Sequence, residues 1–127
     1  MLTTPSLARS VLTGLGVDAV VVIAFAAAGR SNHAEGLSIL GIADTAWPFL
    51  IGLALAGWLG VVRGSLSVRT WWQQAIGLAL PTVAVGMILR LLTGDGAALA
   101  FVAVATLTLT AGFALSHLAA SYLRPTA

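Results

Sequence analysis

Four long apolar runs, separated by short links, make up most of this chain. They cover residues 10–29, 45–62, 72–92 and 97–123. A helix needs about 20 mainly apolar residues to cross a hydrocarbon core of about 30 Å, and each run is close to that length or longer. The pattern therefore predicts four membrane-spanning helices.

Glycine and small polar residues are found in each link between the runs. Gly29 and Gly36 follow the first run, Gly64 follows the second, and TGDG at 93–96 follows the third. Such residues are typical of helix ends and turns. Because short links favour antiparallel neighbours, the predicted fold is all-α, an up-down four-helix bundle in the membrane.

The composition favours lipid rather than water around these helices. Of 127 residues, 59% are hydrophobic and 8% are charged, whereas a soluble domain is about one-quarter charged. We interpret residues 1–127 as a single four-span domain. A cleaved signal peptide is the alternative for the first run, but Asp18 inside the run and its length beyond the usual ~7 to 15 residues argue against cleavage.

The charged residues indicate how the helices are oriented in the membrane, and they do not predict a polyanionic partner. The net charge is +2 and no lysine is present. The arginines are scattered between apolar runs, so we expect no nucleic-acid partner. Cytoplasmic flanks of membrane helices are enriched in positive charge, and the four arginines of one side exceed the two of the other. We therefore expect a plasma-membrane protein with both termini on the cytoplasmic side. The four arginines of the cytoplasmic side are Arg9, Arg63, Arg69 and Arg124, and the two of the other side are Arg30 and Arg90.

Asp18 is the polar residue that most needs an explanation. It lies eight positions, or about 12 Å, inside the first run. An ionised carboxylate at that depth costs about 2.5 kcal/mol or more, so we expect it to be protonated, paired or wetted. Thr106, Thr110 and His117 share one face of the fourth run, and His117 lies at a similar depth. These four residues form a candidate membrane site; a structural latch, or no contact between Asp18 and His117, are the alternatives.

The segment GRSNHAEG at 29–36 and the end of the third run supply a second candidate cluster. It consists of Arg30, His33, Glu35 and Arg90. Simple anchoring is the expected role of the two arginines, whose side chains can extend toward the interface. An ion-paired lid or an anion-attracting mouth is the alternative.

Close helix packing is expected along the second run. Gly52, Ala56 and Gly60 recur every four residues and so share one smooth face. The expected role is contact within the bundle, and an interface with a second copy is the alternative. Pro81 lies in the middle of the third run, where it removes one backbone hydrogen bond; a structural bend is expected and a gating hinge is the alternative.

No motif for catalysis, nucleotide binding or metal binding is present. The chain has no cysteine, and no HExxH, GxSxG or EF-hand pattern occurs. His33 and Glu35 do not by themselves make a metal site. We expect no enzyme activity, no cofactor and no metal.

The order of features resembles an uncharacterised family of small membrane proteins, domain of unknown function 3054. The matching residues are Asp18, Gly29-Arg30 with His33 and Gly36, Trp47-Pro48-Phe49 with Trp58, Gly77, Gly86-Met87, Arg90 and Phe101. The resemblance implies a multi-pass membrane protein of four helices. It implies no substrate or cofactor.

The leading interpretation is a small multi-pass membrane protein of unknown activity that associates with the lipid bilayer and forms a homo-oligomer. One alternative is a proton-coupled transporter of a small solute that uses Asp18. The other is an accessory or scaffold subunit held by a partner in a larger membrane complex.

Overall fold

In a computed structural model, the described part of the chain forms four α-helices. The structure describes residues 4–31, 38–64 and 70–123, and in the first helix the side chains of residues 12–29. The helices are α1 (Thr4–Ser31), α2 (Ile39–Val62), α3 (Trp71–Leu92) and α4 (Leu99–Leu123). The predicted all-α, four-helix architecture is confirmed.

Local chemistry explains where the helices begin and end. The Ser38 side chain accepts a hydrogen bond from the Gly41 N–H at the start of α2, and the Gln73 side chain accepts one from the Thr70 N–H at the start of α3. At the end of α3, Gly94 has a φ of 84°. Its left-handed conformation lets the Asp95 N–H reach the Arg90 carbonyl, an arrangement that ends a helix without orphan carbonyl groups.

Helix α2 begins earlier than the predicted span at 45–62. Its first residues, Ile39 and Leu40, are highly exposed, and Asp44 is exposed as well. Pro48 is therefore inside the helix rather than at its start. The helix forms before the apolar run because the Ser38 cap, and not the hydrophobic pattern, sets where the backbone hydrogen bonds begin.

The helices are arranged as a ring in which neighbours run antiparallel. Each helix packs against the next along the chain, and α1 packs against α4. We call the end where α1 begins, α2 ends, α3 begins and α4 ends the terminal end, and the opposite end the distal end. The centre is filled by buried apolar side chains, of which Phe49, Leu78, Leu109 and Phe113 are the largest.

Gly52 permits a close approach between the backbones of α2 and α3. A Cβ placed on it would lie 2.6 Å from the Thr82 backbone oxygen of α3. Gly52, Ala56 and Gly60 are all buried within the single chain. The small-residue strip is thus covered by the bundle itself, and contact with a second copy would need another surface.

Prolines are accommodated inside two helices. Pro81 lies within α3, which continues as a helix on both sides of it. The hydroxyl of the next residue, Thr82, donates to the Leu78 carbonyl at 2.6 Å. This bond goes to the carbonyl next to that of Gly77, which is the carbonyl that Pro81 leaves without its helical donor.

The exterior of the bundle is apolar. All four helices are long and apolar enough to cross a membrane. Large hydrophobic side chains project outward from every helix, among them Leu12, Trp58, Ile88 and Leu107. Because soluble monomers rarely expose contiguous apolar surface of this extent, the chain is a multi-pass membrane protein whose outer faces contact lipid.

Candidate functional site

A cluster of polar side chains is buried between α1, α3 and α4. Asp18 of α1 is 0% exposed, Gln74 of α3 is 5% exposed and His117 of α4 is 8% exposed. Ser116, beside His117, is half-buried. We call these four residues the buried polar cluster. Polar groups of this kind inside a membrane helix bundle are uncommon and mark functional positions by default.

The cluster is joined by three hydrogen bonds between side chains. Nε2 of His117 lies 2.7 Å from Oδ2 of Asp18. The Ser116 hydroxyl donates to the other oxygen, Oδ1, at 2.7 Å. Nδ1 of His117 lies 2.9 Å from the Gln74 side-chain oxygen. The structure therefore brings Asp18 and His117 together and adds a partner to each.

These contacts limit where protons can lie. The Gln74 oxygen can only accept, so Nδ1 of His117 must carry a hydrogen. One further proton then lies between Nε2 and Oδ2, on either atom. An imidazolium with a carboxylate and a neutral imidazole with a carboxylic acid are both neutral overall. With one shared proton the cluster would carry no net charge, and the free-energy cost of its burial in hydrocarbon would be lower.

The cluster lies nearer the terminal end of the bundle than the distal end. Gln74 is three residues, or about 4.5 Å, from the start of α3, and His117 is six residues, or about 9 Å, from the end of α4. Asp18 lies near the middle of α1, fourteen residues, or about 21 Å, from Thr4 and thirteen residues, or about 20 Å, from Ser31. The terminal end is therefore the nearer one along α3 and α4.

The two sides of the cluster differ in burial. One helical turn toward the distal end, the residues are Val22, Leu78 and Phe113, all apolar and buried. One turn toward the terminal end of α4, Ser121 is polar and exposed, and Trp71 at the start of α3 is half-buried. The apolar core closes the distal side, whereas the described neighbours of the cluster on the terminal side include a polar, exposed residue of α4.

The other two residues of the predicted membrane site lie apart from the cluster. The Thr106 hydroxyl donates to the Val102 carbonyl of its own helix at 2.7 Å. Thr110 is half-buried and seven residues, or about 10.5 Å along the axis, from His117. Thr106 and Thr110 do share a helix face with His117, but their positions along the helix keep them out of reach of Asp18.

Arg90 folds over the α3–α4 turn. Its Nε donates to the Gly96 carbonyl at 3.0 Å and a terminal nitrogen donates to the Asp95 carbonyl at 3.4 Å. The guanidinium carbon lies 4.4 Å from the centre of the Phe101 ring. This side chain stabilises the turn and is half-buried there. The sequence predicted a cluster of Arg90 with Arg30, His33 and Glu35. The side chains of these three partners lie outside the described residues.

Three phenylalanines pack beneath Arg90. The rings of Phe25 and Phe49 meet edge to face at 5.5 Å, and Phe101 lies 5.8 Å from Phe25 and 6.1 Å from Phe49. An edge-to-face pair such as Phe25 and Phe49 stabilises a core beyond its buried area. This aromatic group ties α1, α2 and α4 together at a level distal to the buried polar cluster.

The site predicted from the sequence did not include two members of the cluster, Gln74 and Ser116. Gln74 lies two residues after Trp72 at the start of an apolar run, a position typical of an interfacial residue. One signal was available, because Gln74, Leu78 and Thr82 recur every four residues and so share a helix face. Ser116 precedes His117 directly, and the two side chains reach the same carboxylate from neighbouring directions.

The described residues hold no group of three or more histidine, cysteine, aspartate or glutamate side chains able to bind a metal ion. Within them, the chemistry of the cluster is that of one carboxylate, one imidazole, one hydroxyl and one amide. These groups can bind, hold and pass a proton.

Comparison with known proteins gives a family without an activity. No curated protein and no solved structure matches the chain significantly. A family model described as protein of unknown function DUF3054 matches residues 15–119, a region that contains all four members of the buried polar cluster. Since this match covers most of the 127 residues, the chain belongs to the DUF3054 family.

Proposed function

We propose that this membrane protein is a proton-coupled transporter of a small solute, in which Asp18 and His117 bind the coupling proton. The observation that supports the proposal is the 2.7 Å contact between Oδ2 of Asp18 and Nε2 of His117 inside an apolar bundle. Ionisable groups at membrane depth commonly form proton relays in transporters.

The charge balance of the pair suits that role. With one shared proton the pair is neutral, and loss of that proton leaves an uncompensated negative charge among buried apolar residues. Release of the proton is therefore coupled to wetting of the site or to arrival of a cation. This coupling is the physical requirement for a transporter that exchanges protons for solute.

A transport pathway would require more than one copy of this chain. Four helices whose centre is filled by Phe49, Leu109 and Phe113 leave no continuous channel in the described part of the core. We propose a homo-oligomer in the plasma membrane, with both termini cytoplasmic. The Gly52, Ala56 and Gly60 strip is buried within one chain and would not form the contact between copies.

An accessory or scaffold subunit is the second candidate, and the burial of Asp18 favours it. A carboxylate with 0% exposure, held by His117 and Ser116, is equally suited to latch α1 onto α4 permanently. In that role the pair would specify helix packing and would never exchange its proton during function. A fixed partner in the membrane would then supply the activity.

Flux measurement in proteoliposomes separates the two candidates. Purified protein is reconstituted with a pH-sensitive dye inside, a pH gradient is imposed, and tetraphenylphosphonium, glycine and lactate are added in turn as cationic, zwitterionic and anionic probes. We expect at least one probe to drive proton movement with the wild-type chain, and Asp18→Asn to abolish it. Asp44→Asn, at an exposed carboxylate of α2, is the matched control and should leave the flux unchanged.

Two results would count against transport. Proton movement in wild-type vesicles no greater than in Asp18→Asn vesicles for all three probes would remove Asp18 from the mechanism. Copurification with one membrane partner in fixed ratio, together with that absence of flux, would favour the accessory subunit.

A further inference from the structure

We propose that Gln74 is a positioning residue for the proton site. Its amide oxygen holds a hydrogen on Nδ1 of His117, so that Nε2 is the nitrogen that exchanges a proton with Asp18. The inference rests on the proposed function of the pair, and it assigns a role to a residue that touches His117 but not Asp18 within the described contacts.

The geometry carries the assignment. The Gln74 oxygen lies 2.9 Å from Nδ1, on the opposite side of the imidazole from the 2.7 Å contact with Asp18. Gln74 comes from α3, whereas Asp18 comes from α1, so the ring of His117 is held between two helices. A histidine that is bonded at both nitrogens has a defined ring orientation, and the partner of one nitrogen decides what the other can do.

The orientation of the amide follows from the charge of the cluster. In the reverse orientation the Gln74 nitrogen would donate to Nδ1, and the single hydrogen of a neutral ring would then lie on Nε2. With the Ser116 hydroxyl donating to Oδ1, Asp18 would then be an ionised acceptor, and the cluster would carry a net negative charge. A charge at such depth costs about 2.5 kcal/mol or more. With the oxygen toward Nδ1, as it is placed in the structure, the cluster with one shared proton is neutral.

Ser116 restricts the other partner in the same way. Its hydroxyl donates to Oδ1 of Asp18, so Oδ2 is the carboxylate oxygen that faces the imidazole. The proton passes along one line, between Oδ2 and Nε2, with no bond to carbon formed or broken. Gln74 and Ser116 thus align Oδ2 and Nε2, the two atoms between which the proton is transferred.

Nitrogen-15 NMR of the histidine rings tests the role of Gln74 directly. The chain has two histidines, His33 and His117, and a His33→Gln variant leaves the signals of His117 alone. In this background we expect a protonated Nδ1 at neutral pH. In Gln74→Met, which has similar length but no amide oxygen, Nδ1 loses its acceptor. We expect the protonated-Nδ1 signal to be lost in favour of hydrogen on Nε2, with Asp18 protonated on Oδ1 and donating to the Ser116 hydroxyl, so that the cluster stays neutral. Gln74→Glu keeps an oxygen acceptor and should restore the signal.

The outcomes are separable from those of the transport test, because the spectra require no flux. A bare Nδ1 in the otherwise unchanged protein would overturn the inference even if the Gln74→Met variant does not fold. Retention of a protonated Nδ1 in folded Gln74→Met protein would overturn it as well. The expected spectra in a protein without proton flux would keep the positioning role and reject transport instead.

Discussion

The imidazole of His117 and the carboxylate of Asp18 meet at 2.7 Å although the two residues are separated by 99 positions in the chain. Their contact joins the first helix to the last and closes the ring of four helices. Because neither group can remain unpaired in hydrocarbon without a large free-energy cost, the same bond serves the fold and positions a proton.

Removing one partner of this pair should destabilise the bundle more than removing both. His117→Leu leaves the Asp18 carboxyl without its imidazole in an apolar interior, and we expect a loss of about 3 kcal/mol or more. Asp18→Leu combined with His117→Leu should recover part of that loss. Unfolding in mixed detergent, followed by tryptophan fluorescence, gives the free energies; strictly additive effects would show that the pair is not energetically coupled.

Substitution of Gly52 should test the close contact between α2 and α3. Gly52→Ala places a methyl group 2.6 Å from the Thr82 backbone oxygen, so the helices must separate, at an expected cost of about 1–3 kcal/mol. Gly16→Ala is the matched control, since a Cβ there meets no atom within 4 Å. That control should be neutral or stabilising by up to about 1 kcal/mol, because alanine is the better helix former. Equal thermal stability of the two variants would contradict the packing described.

Arg90 should contribute to the stability of the distal turn. Arg90→Met removes the hydrogen bonds to the Gly96 and Asp95 carbonyls and the contact with the Phe101 ring. We expect a loss of about 1–3 kcal/mol, measured by thermal unfolding in detergent. Arg63→Met, at an exposed helix end, is the control and should change stability by less than about 0.5 kcal/mol. A loss no larger than that of the control would mean that Arg90 acts outside the turn.

The orientation in the membrane can be tested with single cysteines, because the chain has none of its own. Both termini inside the cell require Asp95→Cys to react with an impermeant maleimide from outside, whereas Ser121→Cys should react only after the membrane is opened. Both positions are exposed at opposite ends of the bundle. The reverse labelling pattern would refute the arginine-based assignment, and labelling of both positions from outside would indicate mixed insertion.

The architecture was largely predictable because its causes are local. Apolar runs near the length of a membrane crossing require helices, since backbone groups in lipid must be satisfied within the segment. The TGDG sequence at 93–96 predicted the turn that Gly94 and Asp95 form. The start of α2 was placed too late, because the Ser38 cap extends the helix beyond the apolar run.

The candidate site was predictable only in part. The cost of burying a carboxylate made a partner for Asp18 necessary, and depth alone made His117 a reasonable choice. Depth could not identify Gln74 or Ser116, since each lies beside a residue with an obvious interfacial or polar role. It also could not separate these two from Thr106, whose hydroxyl bonds to its own helix.

Residue order and hydrophobicity alone thus establish a bundle of four membrane helices with one costly acid inside it. The rotation of each helix about its axis comes from packing between distant segments, such as Gly52 of α2 against Thr82 of α3. That rotation determines which polar side chains meet. It brings Gln74 and His117 within 2.9 Å and leaves the threonines of α4 elsewhere, because hydrogen bonds depend on angstrom-scale geometry that sequence periodicity does not specify.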